Sequence, residues 1–407
     1  MANAVPRVSV VMSVYNGSVY LPEAIESILN QSYGGFEFEI IDDGSTDGTW
    51  EQLKAWAARD DRIRLFRNEV NLGVASSLNV GLSHARGEYF ARQDADDRSA
   101  PGRLAAQVAF LDANLRTGML GTLPEFIDAA GAPLADPDQS IPVKNDEIQA
   151  ELLDWNCLWH GSIMARRTIL EDVGGYDPEF EESEDYDLWL RISERTQLAN
   201  LPIPLYQYRV HPDSASSTKR YVQLYNKAKG LEGALERRYG RDAPRNLRLF
   251  LARDFLRAAF VGYVTGEVEE ASECLSRARG TDGAILLNGP HVEDIIERYI
   301  NMDSIYTPIE QVNSFFKDLL PKNHHLEMAR RGLLSRLHME IVFNGKGVPA
   351  RTILSHMASG VYYQPHWLAN RGVWSIALRS MGRGVFERVS RLRRITHEVE
   401  SLVEEEA

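Results

Sequence analysis

Three carboxylates fall within four residues at Asp94-Ala95-Asp96-Asp97, between a strand-like stretch, Glu88 to Gln93, and a turn signal, Ser99-Ala100-Pro101-Gly102. No cation inside the run offsets their mutual repulsion. A hard divalent ion such as Mg²⁺ or Mn²⁺ would, since it prefers oxygen ligands and keeps positions open for substrate phosphates. An acidic surface turn is the other reading of the same residues, because Asp is a common turn residue. A second acidic pair, Glu184-Asp185, has Glu181, Glu182 and Asp187 for neighbours. Burial or repulsion there would raise the proton affinity of a carboxylate towards that of a general base. A helix start enriched in acids has the same composition, and such a start can itself present a base.

The elements that would position these residues alternate in type. Val8 to Ser13, Phe36 to Ile41, Ile63 to Phe66 and Glu88 to Gln93 read as strands. Leu21 to Gln31, Thr49 to Arg59 and Ala75 to Ala85 carry helical spacing between them. This alternation predicts βαβ units and a mostly parallel sheet flanked by helices. Ligands of such sheets bind beyond the carboxyl ends of strands, where Tyr15, Asp43 and Asp94 all fall. After about Ser217 long Arg- and Leu-rich helical stretches take over, including Leu224 to Tyr239, Arg245 to Gly262, Val268 to Arg279 and Ile309 to Leu320. The organisation expected is a catalytic α/β domain over 1–220 and a mainly helical accessory domain over 221–407.

Bulk properties narrow the function. Residues 1–220 hold 19 Lys and Arg against 35 Asp and Glu, and the remainder 26 against 23. An acidic first half argues against nucleic acid as a partner and is compatible with an anionic substrate held through a metal. Two cysteines without a spacing pattern fit a reducing compartment. No apolar window approaches the roughly 18 residues of a membrane-spanning helix. The expectation is a cytoplasmic protein. Val373 to Val403, Arg-rich with interleaved Trp374, Ile376, Leu378, Val385, Val389 and Leu392, reads as a basic amphipathic helix. Such a helix can lie peripherally on an anionic membrane surface or pack on its own domain.

Over residues 6–220 an ordered set of motifs resembles the family 2 glycosyltransferases, which have a GT-A fold. The set runs Val8-Ser9-Val10-Val11-Met12-Ser13-Val14-Tyr15-Asn16, Ser27 to Tyr33, Asp42-Asp43-Gly44-Ser45-Thr46-Asp47, Asn71-Leu72-Gly73 with Leu78-Asn79, and Ala91 to Asp97. It ends with Gly174-Gly175-Tyr176-Asp177, Glu184 to Arg191 and Tyr208-Arg209-Val210-His211. The resemblance implies a hexosyltransferase-type enzyme that moves a sugar, with inversion, from a UDP-sugar to a glycan or glycolipid hydroxyl during polysaccharide or lipopolysaccharide assembly. Ser13, Tyr15, Asp43 and Asp94 would hold the nucleotide. Asp94, Asp96, Asp97 and His211 would supply the ligands of a Mn²⁺ or Mg²⁺ ion. Asp185, with Glu184 beside it, would be the base. Leu78 stands where many members carry an arginine, and the Gln-x-x-Arg-Trp mark of processive synthases is absent, so a non-processive enzyme is expected. Two other readings remain: a catalytically inactive GT-A scaffold acting through its helices, and a nucleotidyltransferase, although Ser13 to Gly17 lacks the latter's basic phosphate loop.

Overall fold

A computed structural model describes residues 5–135, 141–211, 219–282, 309–319, 324–344 and 349–381. The chain separates into two compact units, Met1–Asp254 and Phe255–Ala407.

The first unit is built on an eight-stranded sheet in the order β3-β2-β1-β4-β7-β6-β8-β5. Its strands are β1 (Val8–Val14), β2 (Phe36–Asp42), β3 (Ile63–Arg67), β4 (Tyr89–Arg92), β5 (Arg98–Ser99), β6 (Thr117–Ile127), β7 (Met164–Arg166) and β8 (Gln197–Arg209). β3, β2, β1 and β4 pair in parallel. β7 is antiparallel to β4 and β6, β8 runs parallel to β6, and β5 lies antiparallel on β8. Six strands therefore share one direction, and their carboxyl ends open at one end of the sheet.

Local sequence explains the first half directly. β1, Val-Ser-Val-Val-Met-Ser-Val, is buried along its whole length, as a central strand covered on both faces requires. Helix α1 (Leu21–Leu29) carries Pro22 in its first turn, where a missing N–H costs nothing, and buries Leu21, Ala24, Ile25 and Ile28. Helices α2 (Thr49–Ala57) and α3 (Val74–His84) complete the crossovers. The expected strands and helices all form here, with ends shifted by one or two residues.

The second half of the sheet was not read from the sequence. β6 contains Gly118, Gly121 and Pro124, and β8 contains Pro202 and Pro204, residues that weaken any strand signal. Register shifts between β6 and β8 at Thr122/Leu123 and Leu123/Pro124 absorb them. Helices α4 (Arg103–Ala113), α5 (Asn145–Glu151), α6 (Arg167–Asp172) and α7 (Glu184–Ser193) connect these strands. A further helix, α8 (Arg220–Tyr239), also lies in the first unit, where the Asn226 side chain donates to the Glu181 carbonyl at 2.9 Å.

The second unit is helical, with Val268–Asp282, Ile309–Leu319, His324–Asn344, Ala350–Tyr363 and Arg371–Met381. Phe315 packs edge-on against Phe260 and Tyr263, whose hydroxyl donates to Asp318 at 2.7 Å. Of the basic amphipathic stretch expected over 373–403, residues to 381 are helical and the rest lies outside the described residues. No helix among the described residues is long and apolar enough to cross a membrane.

β2 alternates apolar and acidic residues, yet both of its faces are covered. Glu37 is held by Arg86 and Ser9. Glu39, fully buried beside Arg64 and Glu37, is pushed up to about 7 by burial and then by the Glu37 charge. A carboxyl whose folded pKa exceeds its unfolded value binds its proton more tightly in the native state, so its contribution to stability declines as pH rises from about 4.5 to about 7. The melting temperature of Glu39→Gln, compared with wild type, should accordingly gain a few degrees between pH 5 and pH 8. A difference that stays constant across that range would show that Glu39 does not titrate there.

Candidate active site

The carboxyl end of the sheet gathers two groups of residues. The first follows β1 and β2. The Asp43 N–H donates to the Val14 carbonyl at 2.8 Å, joining the two strand ends. Asn16, in the left-handed region at φ 51°, donates its N–H to Ser45 Oγ at 2.9 Å and accepts from the Thr46 N–H at 2.8 Å. Tyr15 stands between these ties with 48% of its surface exposed, and Ser13 is buried at the strand end. The Asp43 carboxylate is also buried and accepts from Asn68 Nδ2 at 2.7 Å and from the N–H groups of Leu72 and Gly73 at 2.9 Å each. Gly44 is obligatory in this turn: its φ is +76°, and a Cβ there would lie 2.8 Å from the Val70 carbonyl carbon.

The acidic run after β4 is held by polar groups on every side. Gln93, fully buried, donates through Nε2 to the carbonyls of Asp94 and Asp97 at 3.0 and 3.1 Å. Its Oε1 accepts from Ser99 and Arg103. Asp94 pairs with Arg92 at 2.6 Å and accepts from the Tyr206 hydroxyl at 3.1 Å. Burial opposes its ionisation, but the charge of Arg92 prevails and holds it below the ordinary range. Asp97 is buried and accepts from the Arg209 N–H at 2.7 Å, with the Tyr206 hydroxyl 2.8 Å away. Burial and the charges of Asp96 and Asp94 push Asp97 well above the usual carboxylate range. Asp96 is the most exposed of the three, at 39%, and His211 Nε2 lies 3.0 Å from its Oδ2. The buried Arg209 side chain closes the turn, donating to the Asp96 carbonyl and to Glu23, each at 2.7 Å.

The second acidic pair opens α7. Asp185 accepts from Asn156 Nδ2 at 2.8 Å and from the Tyr186 N–H at 2.6 Å. Burial raises it to about 6 despite those bonds. Glu184 is raised to about 8 by burial and by Asp185. The pair therefore retains a proton near neutrality and titrates as a unit. His160 lies 4.0 Å from Glu184 Oε1 and 2.9 Å from the Tyr176 hydroxyl. Burial, helped by Arg92, drives His160 down to about 3, so it is a neutral imidazole.

The structure thus brings Asp94, Asp96, Asp97 and His211 together and places Glu184 4.0 Å from His160, with Asp185 near enough to feel the Asp94 charge. Ser13, Tyr15 and Asp43 form a separate group at the ends of β1 and β2. Among the described residues, no group of three or more His, Cys, Asp or Glu side chains is arranged to hold a metal ion. The nearest arrangement is the Asp96–His211 pair. Four contributors were not picked out as site residues: Arg92, Gln93, His160 and Tyr206. Arg92 and Gln93 directly precede the acidic run, and a charged and an amide side chain ending a buried strand were the available signal. Tyr206 lay on a strand masked by its prolines.

A family model described as glycosyl transferase family 2 matches residues 9–174. The Bacillus subtilis protein EpsE is 42% identical over 216 residues, 52% of this chain and 76% of EpsE. The chain belongs to glycosyltransferase family 2. A second relative of this glycosyltransferase, the O-antigen biosynthesis glycosyltransferase WbnJ of Escherichia coli, is 31% identical over 215 residues, 52% of this chain and 82% of WbnJ. The crystal structure of S. aureus TarS residues 1–349 superposes with a TM-score of 0.51 at 17% identity, covering 88% of this chain and 92% of that one. Its complex with UDP-GlcNAc gives a TM-score of 0.50 at 17% identity, with 88% and 92% covered. These two likenesses establish a shared GT-A-like fold.

Gly161 controls the approach of β8 to the acidic run. A Cβ at this position would fall 1.7 Å from the Tyr206 hydroxyl oxygen and 2.3 Å from Asp94 Oδ2. Gly161→Ala should displace both groups, cost about 1–3 kcal/mol through overpacking and reduce transferase activity. Alanine tolerated there with unchanged melting temperature and turnover would mean that the Asp94–Tyr206 contact is dispensable.

Proposed function

We propose that this glycosyltransferase is an inverting, metal-dependent, non-processive enzyme that moves a sugar from a UDP-sugar to a hydroxyl of a glycan or glycolipid acceptor. The observation that carries this reading is the convergence at one sheet end of the Asp96–His211 pair, with Asp96 partly open to solvent, and the Glu184–Asp185 pair, joined through Arg92 and His160. The O-antigen role in the name of WbnJ supports an acceptor in cell-surface polysaccharide or lipopolysaccharide assembly. The UDP-GlcNAc complex of TarS supports a nucleotide-sugar donor.

Each residue has a role its surroundings permit. The exposed Tyr15 ring offers a face for the base, with Ser13 beneath it. Asp43 spends three acceptor positions on the segment 68–73 and keeps a fourth for an imide N–H. Asp94, held ionised by Arg92, accepts from a ribose hydroxyl. Asp96 and His211 fit a hard divalent ion, Mn²⁺ or Mg²⁺, that takes few protein ligands and keeps positions for phosphate oxygens. Such an ion, when bound, neutralises charge on the departing diphosphate. Asp97, already committed to Arg209 and Tyr206, holds the turn in place behind Asp96.

Asp185 takes the proton of the acceptor hydroxyl. Asn156 and the Tyr186 N–H fix its carboxylate, and burial brings its proton affinity closer to that of the hydroxyl it must deprotonate. Glu184, protonated near neutrality, adds no second negative charge beside it. A single base facing a bound donor suits one in-line displacement, which inverts the anomeric centre.

Transfer, followed as nucleoside diphosphate release, should decline as pH falls through about 6, because protonation of Asp185 removes the base. Asp185→Asn should lose on the order of 10²–10⁴ in kcat while keeping its melting temperature. Asp96→Asn should abolish the Mn²⁺-dependent thermal stabilisation by UDP-sugars that the wild type displays. Turnover of Asp185→Asn at the wild-type rate would exclude that base, and stabilisation by UDP-sugars without any metal would exclude the metal role.

A further inference from the structure

Three aromatic rings stand beside the reacting groups without belonging to the machinery above. Phe126 on β6 and Tyr208 on β8 are cross-strand partners on one face of the sheet, with ring centroids 5.9 Å apart. Trp159, the residue before His160, meets Phe126 edge-on at 5.3 Å and Tyr208 at 5.0 Å. All three rings are half-buried, whereas Tyr206 and Tyr186 in the adjoining interior are buried.

The position of this cluster relates it to both sides of the reaction. Tyr208 lies two residues beyond Tyr206, so the two project from the same face of β8 about 7 Å apart along the strand. The Tyr206 hydroxyl contacts Asp94. The residue that follows Trp159, His160, is 4.0 Å from Glu184. Sheet order separates the cluster from the nucleotide side. Tyr15 and Asp43 follow β1 and β2 on one side of β4, and Phe126 and Tyr208 lie on β6 and β8 on the other, beyond β7. A donor extending from Tyr15 to the Asp96–His211 pair would bring its diphosphate to the end of β8, so the cluster lies beside the end of the donor that the second substrate must approach.

The chemistry of the rings identifies the class of that substrate. Indole and phenol side chains combine a broad apolar face with a polar edge, and binding sites pair such faces with a few placed polar groups. A pyranose has the matching form, with C–H bonds on one face and hydroxyls around the rim. An acyl chain would instead need an extended apolar groove, whereas this cluster adjoins the polar His160, itself 4.0 Å from Glu184.

We propose that Trp159, supported edge-on by Phe126 and flanked by Tyr208, forms a platform on which a pyranose ring of the acceptor stacks, its reacting hydroxyl turned towards Asp185. This rests on the glycosyl-transfer reading above and adds to it that the acceptor is recognised as a sugar ring. Trp159, the largest of the three rings and the one next to the acidic pair, carries most of the contact.

Saturation-transfer NMR with methyl glucopyranoside, methyl mannopyranoside and methyl N-acetylglucosaminide, with glycerol for comparison, reads the platform directly. The full-length wild type should transfer saturation to the ring C–H protons of at least one pyranoside and not to glycerol. Trp159→Ala should weaken that binding roughly ten-fold or more, Tyr208→Ala should weaken it less, and Trp159→Phe should retain most of it. Thermal stabilisation by UDP-sugar with Mn²⁺ should be the same in all four proteins, which also certifies that the variants are folded. Equal pyranoside binding by wild type and both alanine variants would overturn the proposal. So would a wild type that is stabilised by the donor yet binds none of the pyranosides. Absence of donor stabilisation in the wild type, with pyranosides still bound at Trp159, would instead overturn the donor reading and leave the platform standing.

Discussion

Five carboxylates meet at one end of a single sheet, and the buried guanidinium of Arg92 is what makes their coexistence possible. Only 3% of its side chain is exposed and it pairs with Asp94 at 2.6 Å, so burial opposes its charge and the Asp94 carboxylate favours it. A charge so far from water survives only when paired. Here the partner is the acid at the strand end, which the same pairing keeps ionised. The influence spreads from there. Arg92 helps hold His160 neutral, and His160 lies 4.0 Å from Glu184. The three acids of the run consequently differ in state: Asp94 ionised, Asp97 pushed towards its neutral form, Asp96 open to solvent and facing His211.

Support for that cation comes from groups that make no approach to a substrate. Gln93 uses both of its donors and its acceptor on the turn that follows it. Arg103, fully buried and pushed down to about 10 by burial, bonds Gln93 and Ser99 and lies over the Tyr206 ring. Arg209 performs the same service from the far side. Together these buried bonds fix the turn more tightly than any one of them would, so a site of like charges can be preorganised.

What the sequence disclosed and what it withheld divide along the sheet. The strands β1 to β4 were legible because their residues are β-branched and apolar and their crossovers carry helical periodicity. The ordered motifs also located every acid now found at the site. The strands β6 and β8 were not legible, since glycines and prolines interrupt them and only pairing across the sheet makes them strands; β7, Met164–Arg166, is too short for a pattern. The roles of Arg92 and Tyr206 were hidden for a related reason. Arg92 looks like a surface residue until the sheet buries it, and Tyr206 does so until Asp94, 112 positions away, is found against its hydroxyl. Burial and long-range pairing are properties of the fold, and a local pattern does not contain them.

The register shifts between β6 and β8 have a consequence for how this chain can change over time. Beyond Pro124 the pairing with β8 is regular to Ile127 and Arg209, and side chains alternate faces at every residue. Gain or loss of one codon between Tyr206 and Tyr208 would turn one of them to the opposite face, so the contacts with Asp94 and with Trp159 could not both be kept. The bulged part of the strand just before it can absorb such a change, and the connection after β6 lies outside the alternation altogether. A change in length is therefore accommodated at those two places and not in the regular stretch from Tyr206 to Arg209.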